Sequence, residues 1–247
     1  MKKYLVLLWL LLPLPVVVMH FGGGQQWLAR DKAHACIVQA QTLESQKNWQ
    51  AADRLYRDAA RHVGTAEPDL KLRLDLAQVR TRYQQGEAVT AMDLMDKVVN
   101  DPGFSSMPVG FRRESRELAG RIHYYAGWVM RLEGARRELW MEEAELSRQN
   151  FRLLAEQSAS EGNSDYSLTQ QTNLESAVLL QRMSLYELMA KPLPKEGQQM
   201  GNQGLSEQMG KRRGQRGKGQ QPGIGKGEEN ESAPGAGTQR FQPGDGS

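Results

Sequence analysis

The sequence predicts an all-α protein, in which antiparallel helical hairpins stack between an apolar N-terminal segment and a glycine-rich tail. Three observations support this prediction. Residues 4–29 contain no Asp, Glu, Lys or Arg. Between residues 27 and 190 apolar positions recur at spacings of three and four, the period of a helix, and no stretch alternates as a strand does. Residues 191–247 hold 14 of the 25 glycines in the chain.

These changes of composition divide the 247 residues into three predicted segments. Residues 1–24 form a signal-anchor or transmembrane segment, residues 25–190 the helical domain, and residues 191–247 a disordered, Gly/Gln-rich and partly basic tail. The tail has nine Lys/Arg against six Asp/Glu, so it carries the whole net charge of +3. This distribution argues against a uniformly basic nucleic-acid-binding protein. Cys36 is the one cysteine, which excludes an internal disulfide.

The N-terminal apolar run predicts insertion into a membrane. Lys2 and Lys3 precede residues 4–21, which as a helix would be about 27 Å long, close to the thickness of a bilayer core. A cleaved signal peptide also needs small residues before its cleavage site, and residues 16–21 offer none. We therefore expect a single-pass protein of a bacterial inner membrane, with the bulk of the chain in the periplasm. The alternative is a cleaved signal peptide and a secreted or periplasmic protein.

Capping and helix-breaking residues divide the central segment into seven predicted helices. Asn48 is placed to cap a helix that begins at Trp49, and Pro68 suits the first turn of the next. Ser167 and Gln170 have the spacing of a capping box. The predicted helices span residues 27–46, 49–63, 68–84, 87–99, 108–133, 135–160 and 167–190.

The helix that begins at Trp49 has the most specific pattern in the sequence. Large and small side chains alternate along it at spacings of three, four and three, and a small residue lies nine positions before it. These residues are Ala40, Trp49, Ala52, Tyr56 and Ala59. The arrangement is similar to the tetratricopeptide repeat, in which small residues let two helices approach and aromatic residues fill the gaps. The resemblance implies that Ala40 is the small residue of the first helix of the unit.

A second unit follows 39 residues later, counted from Trp49 to Ala88. The residues at its matching positions are Gly86, Ala88, Ala91, Met95 and Val98. We predict a third unit from architecture, because about three units are needed to bury a continuous core. The last predicted helix is expected to be a terminal cap. Its apolar residues are Leu168, Val178, Leu179, Met183, Tyr186 and Met189.

No catalytic or metal-binding signature stands out, so we predict a protein that is not an enzyme and binds no cofactor or metal. None of the four histidines has the His-Glu-x-x-His spacing of a zinc site. We expect the acidic cluster of Glu142, Glu143 and Glu145 to be a solvated helix face. A helical envelope enzyme, such as a lytic transglycosylase-like protein, is an alternative that requires a catalytic carboxylate. Its candidates are Glu114, Glu117 and Glu175.

The basic part of the tail suggests a second kind of contact. Five cations lie in a stretch without acidic residues, where they could bind wall polymer or anionic lipid. They are Lys211, Arg212, Arg213, Arg216 and Lys218. The alternative is a flexible extension with no defined ligand.

The organisation of the whole chain resembles the tetratricopeptide proteins of bacterial aerotolerance operons. Those proteins combine an N-terminal membrane segment, a few repeats and a charged Gln/Gly-rich tail, and act alongside membrane-anchored von Willebrand A-domain proteins. The resemblance implies partners of that kind and a role in stress tolerance or envelope assembly. We predict a non-enzymatic, membrane-anchored scaffold whose concave face binds partner proteins at the periplasmic side of the membrane. An envelope-binding module that uses the tail, or an unrecognised helical enzyme, is the alternative.

Overall fold

The computed structural model describes residues 24–64, 67–191 and 204–219. Within these residues the fold is all-α and contains no strand, which confirms the all-α part of the prediction, with nine described helices where seven were predicted. The described helices are α1 (Gly24–Ser45), α2 (Trp49–Val63), α3 (Pro68–Gln84), α4 (Ala88–Val99), α5 (Val109–Leu132), α6 (Arg137–Ser160), α7 (Ser164–Arg182), α8 (Leu185–Met189) and α9 (Leu205–Gly219), and a 3₁₀ turn at Phe104–Ser106 precedes α5.

Successive helices pair into three hairpins, α1–α2, α3–α4 and α5–α6, and α7 packs on the third hairpin. The first helices of neighbouring hairpins also contact each other, α3 with α5 and α5 with α7. The helices are therefore packed in a repeat-like order along the chain.

Local chemistry explains where most helices begin. The Asn48 side chain accepts a hydrogen bond from the Ala51 N–H at 3.4 Å, and Pro68 occupies the first turn of α3. The expected capping box at Ser167 is wrong, because α7 begins at Ser164 and Asn163 caps it. Ser167 and Gln170 are buried inside α7 instead, and the Ser184–Glu187 pair forms a capping box at α8.

The two helices of a hairpin approach closely because small residues line the seam between them. In the first hairpin Ala40, Ala52 and Ala59 are fully buried. In the third hairpin a Cβ added to Gly120 would lie 2.8 Å from the Phe151 ring. A Cβ on Gly127 would lie 3.2 Å from the Trp140 carbonyl oxygen and 3.3 Å from the Ala144 amide nitrogen, both backbone atoms of α6.

Helix α9 lies within residues 191–247, whose composition predicts disorder. Two contacts with the helical domain explain why a helix forms here. Leu205 and Met209 lie one turn apart and are buried in the largest apolar cluster. The Glu133 carboxylate at the end of α5 accepts hydrogen bonds from the backbone N–H groups of Gly204, Leu205 and Ser206, at 3.0, 3.1 and 2.7 Å. A carboxylate is stabilising at a helix N-terminus because the exposed N–H groups carry partial positive charge.

The predicted location in an inner membrane is corrected. Over residues 24–64, 67–191 and 204–219, no helix has both the length and the apolar character needed to cross a bilayer. Helix α1 shows the reason, since Arg30, Asp31 and Lys32 lie in its first half and charged groups are costly in hydrocarbon. Residues 4–21, on which the prediction depended, lie outside the described residues.

The α5–α6 seam leads to a stability prediction. Replacing Gly127 by Ala should lower the free energy of unfolding by about 1–3 kcal/mol, because the new methyl group meets backbone atoms that cannot move aside. Gly110→Ala is the matched control on the same helix, since a Cβ there has nothing within 4 Å. It should raise stability by up to about 1 kcal/mol through helix propensity. Chemical denaturation measures both changes, and equal effects would contradict the close approach.

Candidate binding groove on the first helices

The helices α3, α5 and α7 leave a groove between them, which we call the inner groove. It consists of two cavities of about 390 and 330 Å³ that share Glu117 and Arg121 of α5. The side chains that line it are mostly polar, with three tyrosines among them. They include Arg80, Tyr83, Arg113, Glu114, Glu117, Leu118, Arg121, Tyr124, Phe151, Asn163, Tyr166, Thr169, Asn173 and Ser176.

A chain of charged side chains links the three hairpins at this groove. Arg80 on α3 donates to Glu44 on α1 at 2.8 and 3.1 Å, and to Glu114 on α5 at 2.8 Å. The Tyr56 hydroxyl donates to the same Glu44 carboxylate at 2.6 Å. Burial alone would lower the pKa of Arg80, but its hydrogen bond to Glu44 and the nearby carboxylates raise that pKa above its usual range. Arg80 therefore stays charged and fixes the first helices relative to one another.

The second half of the groove has a hydrogen bond between α5 and α7. The Tyr166 hydroxyl donates to the Glu117 carboxylate at 2.9 Å. Burial, assisted by this hydrogen bond, raises the pKa of Tyr166 to about 12. Burial also raises the pKa of Tyr124 to about 12, and the Tyr124 ring packs edge-on against Trp128, with ring centres 5.7 Å apart. At neutral pH both tyrosines are hydroxyl donors with apolar faces.

Two of the three candidate carboxylates of the enzyme alternative line the inner groove. Glu114 pairs with Arg80, and Glu117 accepts from Tyr166, so both are engaged in the groove. Glu175 is exposed on α7 and is not among the residues that line the two cavities.

Two buried polar contacts between helices were missed by sequence reasoning. Asp53 on α2 is 1% exposed and accepts from Arg82 of α3 at 3.0 and 2.8 Å. His123 Nδ1 lies 2.6 Å from Glu143 Oε2, and both side chains are buried between α5 and α6. The expectation that Glu143 belongs to a solvated face is therefore wrong. No local signal could have found these pairs, because their members lie 20 or more positions apart.

The predicted repeat-packing residues lie at helix contacts, outside the inner groove. Ala40, Ala52, Tyr56, Ala59, Ala88, Ala91, Met95 and Val98 are buried. Trp49 is half-buried, and Gly86 lies in the α3–α4 turn with φ of +83°.

The basic residues of the tail lie on α9, where Lys211 pairs with Glu207 of the same helix at 2.6 Å. The side chains of Arg213, Arg216 and Lys218 lie outside the described residues.

Neither metal chemistry nor known relatives identify the site. In the part of the chain that the structure describes, no three or more His, Cys, Asp or Glu side chains come together as a metal site would require. Comparison of the chain with protein-family models, curated proteins and solved structures returns no match. Function is therefore inferred from the groove itself.

The Arg80 contacts predict a stability difference between two ion pairs. Arg80→Met should lower the free energy of unfolding by about 1–3 kcal/mol, because it leaves the largely buried Glu44 carboxylate with one hydrogen-bond donor. Arg152→Met is the control, since Arg152 and Glu156 form an ion pair on α6 that is 60% exposed on both sides. Its loss should be below about 0.5 kcal/mol. Similar losses in denaturant titrations would contradict the linking role of Arg80.

The Tyr166 hydrogen bond predicts a change in titration. Glu117→Gln should bring the pKa of Tyr166 part of the way from about 12 toward its usual value, while burial keeps it raised. Because the folded protein holds this proton more tightly, the stability that Tyr166 adds is complete below the unfolded pKa and is lost as pH rises through the folded pKa.

NMR of the tyrosine ring carbons over an alkaline titration measures this pKa. Tyr124 is the control in the same variant, because burial alone raises its pKa. A Tyr166 pKa that does not move, or a Tyr124 pKa that moves equally, would contradict the assigned contact.

Proposed function

We propose that this protein is a non-enzymatic helical-repeat scaffold, with tetratricopeptide-like hairpins, that binds a segment of a partner protein in the inner groove. The observation that carries the proposal is the groove itself, which runs across the first helices α3, α5 and α7. Each of its two cavities is within the size range of ligand sites, roughly 300–1,000 Å³.

Hydrogen bonds hold several side chains of the groove in place. Arg80 is held by Glu44 and Glu114, and Tyr166 is held by Glu117. Binding a peptide on such a surface loses little side-chain entropy, so more of the contact energy appears as affinity. A surface of this kind suits a flexible peptide segment, because the conformational entropy lost on binding is then mainly that of the peptide.

The chemistry of the groove suits a peptide of mixed polarity. Asn173 and Ser176 on α7 offer amide and hydroxyl groups that can hydrogen-bond to a peptide backbone. The rings of Tyr124 and Tyr166 offer apolar faces beside these polar groups. Glu114, Glu117 and Arg121 bring both signs of charge, which disfavours a ligand of one charge only.

The family resemblance suggests which partners to test first. Von Willebrand A-domain proteins act alongside the aerotolerance tetratricopeptide proteins that this chain resembles in organisation. We include them in the proposal as partners of the inner groove, to be tested by direct binding of such a domain to the full-length protein.

A substitution that fills the groove tests the proposal. Ser176→Trp places an indole in the cavity beside Asn173 and Tyr124, so segments that bind there should be displaced. We expect peptides selected by display on the wild-type protein, or an A-domain partner, to lose at least about tenfold in affinity, or 1.4 kcal/mol. Fluorescence anisotropy or calorimetry measures this change.

Ser160→Trp is the matched control. Ser160 lies at the exposed end of α6, and each serine hydroxyl donates to a carbonyl of its own helix, at 2.7 Å for Ser160 and 2.9 Å for Ser176. The control should retain wild-type affinity. If both variants bind equally well, or both lose binding equally, the inner groove is not the binding site.

A further inference from the structure

Helix α7 presents a stripe of exposed residues on the face that points away from the third hairpin. Its opposite face packs into the protein, where Ala177 and Leu180 are fully buried. The exposed stripe has spacings of three, four, three, four and three, which is the seam pattern of a two-stranded coiled coil. Its residues are Asp165, Leu168, Thr172, Glu175, Leu179 and Arg182. Leu168 is 64% exposed and Leu179 is 49% exposed, so the stripe has two uncovered apolar side chains.

The stripe is complementary to itself when a second copy runs in the opposite direction. Asp165 then lies opposite Arg182 of the second copy, and Leu168 lies opposite Leu179. Thr172 lies opposite Glu175, where its hydroxyl can turn from the Leu168 carbonyl of its own helix and donate to the carboxylate. A two-fold axis through the middle of α7 makes every one of these contacts twice, as an isologous dimer requires.

We propose that the outer face of α7 is a self-association surface, on which a second copy of this chain packs its own α7 in antiparallel orientation. The other orientations of the same two helices are unfavourable. A parallel pair in register places Asp165, Glu175 and Arg182 each against its own copy, so like charges meet at three positions. An antiparallel pair shifted by one heptad places Asp165 opposite Glu175 in one direction, again with like charges, and places the Glu175 carboxylate opposite the apolar Leu179 in the other.

The position of α7 in the stack explains why this face has no partner among the residues that the structure describes. Each of α1, α3 and α5 is followed by a full second helix, whereas α7 is followed by the five-residue α8, which packs on α5. On α8, Tyr186 and Met189 are also exposed.

The expected dimer is weak. Helix α7 has 19 residues and is about 28 Å long, so the interface is at the small end of specific protein interfaces. The Thr172–Glu175 layers at its centre reduce stability but fix the register, as polar seam residues do in coiled coils. Self-association should therefore depend on protein concentration and on the charges at the two ends.

Sedimentation velocity on the full-length protein tests the surface. We expect a monomer–dimer equilibrium that Leu168→Glu/Leu179→Glu abolishes, with the helical circular dichroism unchanged because both side chains are exposed. Arg152→Glu on the exposed face of α6 is the control and should leave the equilibrium unchanged. A wild-type protein that stays monomeric at all accessible concentrations, or a dimer that survives the leucine substitutions, overturns the proposal.

Charge reversal tests the orientation. Asp165→Arg alone places two arginines opposite each other at both ends of the helix pair, and Arg182→Glu alone places two carboxylates there. Each variant should therefore dimerise about tenfold more weakly than the wild-type protein, a loss of roughly 1.4 kcal/mol.

An equimolar mixture of the two charge variants should form heterodimers with near wild-type affinity. In the antiparallel heterodimer the arginine introduced at position 165 of one chain lies opposite the glutamate introduced at position 182 of the other. The unchanged Arg182 of the first chain lies opposite the unchanged Asp165 of the second, so opposite charges meet at both ends. The double variant Asp165→Arg/Arg182→Glu likewise restores opposite charges at both ends and should dimerise as the wild-type protein does. A double variant that dimerises no better than either single variant shows that the antiparallel arrangement is wrong.

A disulfide tests the register, in a Cys36→Ser background that removes the native thiol. Mixing Thr172→Cys with Glu175→Cys should give a disulfide-linked heterodimer on mild oxidation, because these positions face each other. Each variant alone should crosslink much less, since identical positions are offset along the axis. Preferential crosslinking of either variant with itself overturns this register, and with it the proposed pairing.

Discussion

The close approach of paired helices is the constraint on which the rest of this structure depends. Alanines make that approach possible in the first hairpin, and Gly120 and Gly127 do so in the third. Bulky side chains also pack in the gaps between hairpins. Tyr83 and Tyr125 meet there edge-on, with ring centres 6.2 Å apart. The distance between paired helices and the side chains packed between hairpins together set the spacing of the first helices. This spacing in turn sets the width of the inner groove.

Polar contacts complement this apolar packing at the faces where hairpins meet. Arg80 contacts carboxylates from the hairpins on both sides, and Asp53 accepts from Arg82 of the next hairpin. Such pairs contribute less to stability than their number suggests, because burial removes their hydration. These pairs nevertheless require a fixed arrangement of their helices, because a buried carboxylate that loses its hydrogen-bond donor is strongly destabilising. They therefore favour one arrangement of neighbouring hairpins over sliding alternatives, while apolar burial supplies most of the stabilisation.

Helix boundaries could be predicted where a residue has a local chemical role, and long-range contacts could not. Asn48 and Pro68 act within a turn of their own positions, and the bounds of α2 and α3 match the predicted 49–63 and 68–84. The start of α7 was misplaced because both Asn163 and Ser167 can cap a helix, and the burial of Ser167 decides between them. The contact between Glu44 and Arg80 was not predicted, because these residues are 36 positions apart. Helix α9 depends on Glu133, 71 positions before Gly204, which composition cannot reveal.

Helix α7 connects the two proposed surfaces, because it contributes to both with neighbouring faces. Thr169 and Asn173 line the inner groove, and Leu168 and Thr172 belong to the outer stripe. Each pair differs by one position, which is a rotation of about 100° around the helix. A two-fold pair formed through α7 would therefore place two inner grooves next to each other with opposite polarity. A partner with two binding segments could then occupy both grooves, and the second contact would gain from the effective concentration that the first creates. Weak self-association and modest groove affinity would in that case reinforce each other, since binding to both copies at once favours the dimer by mass action.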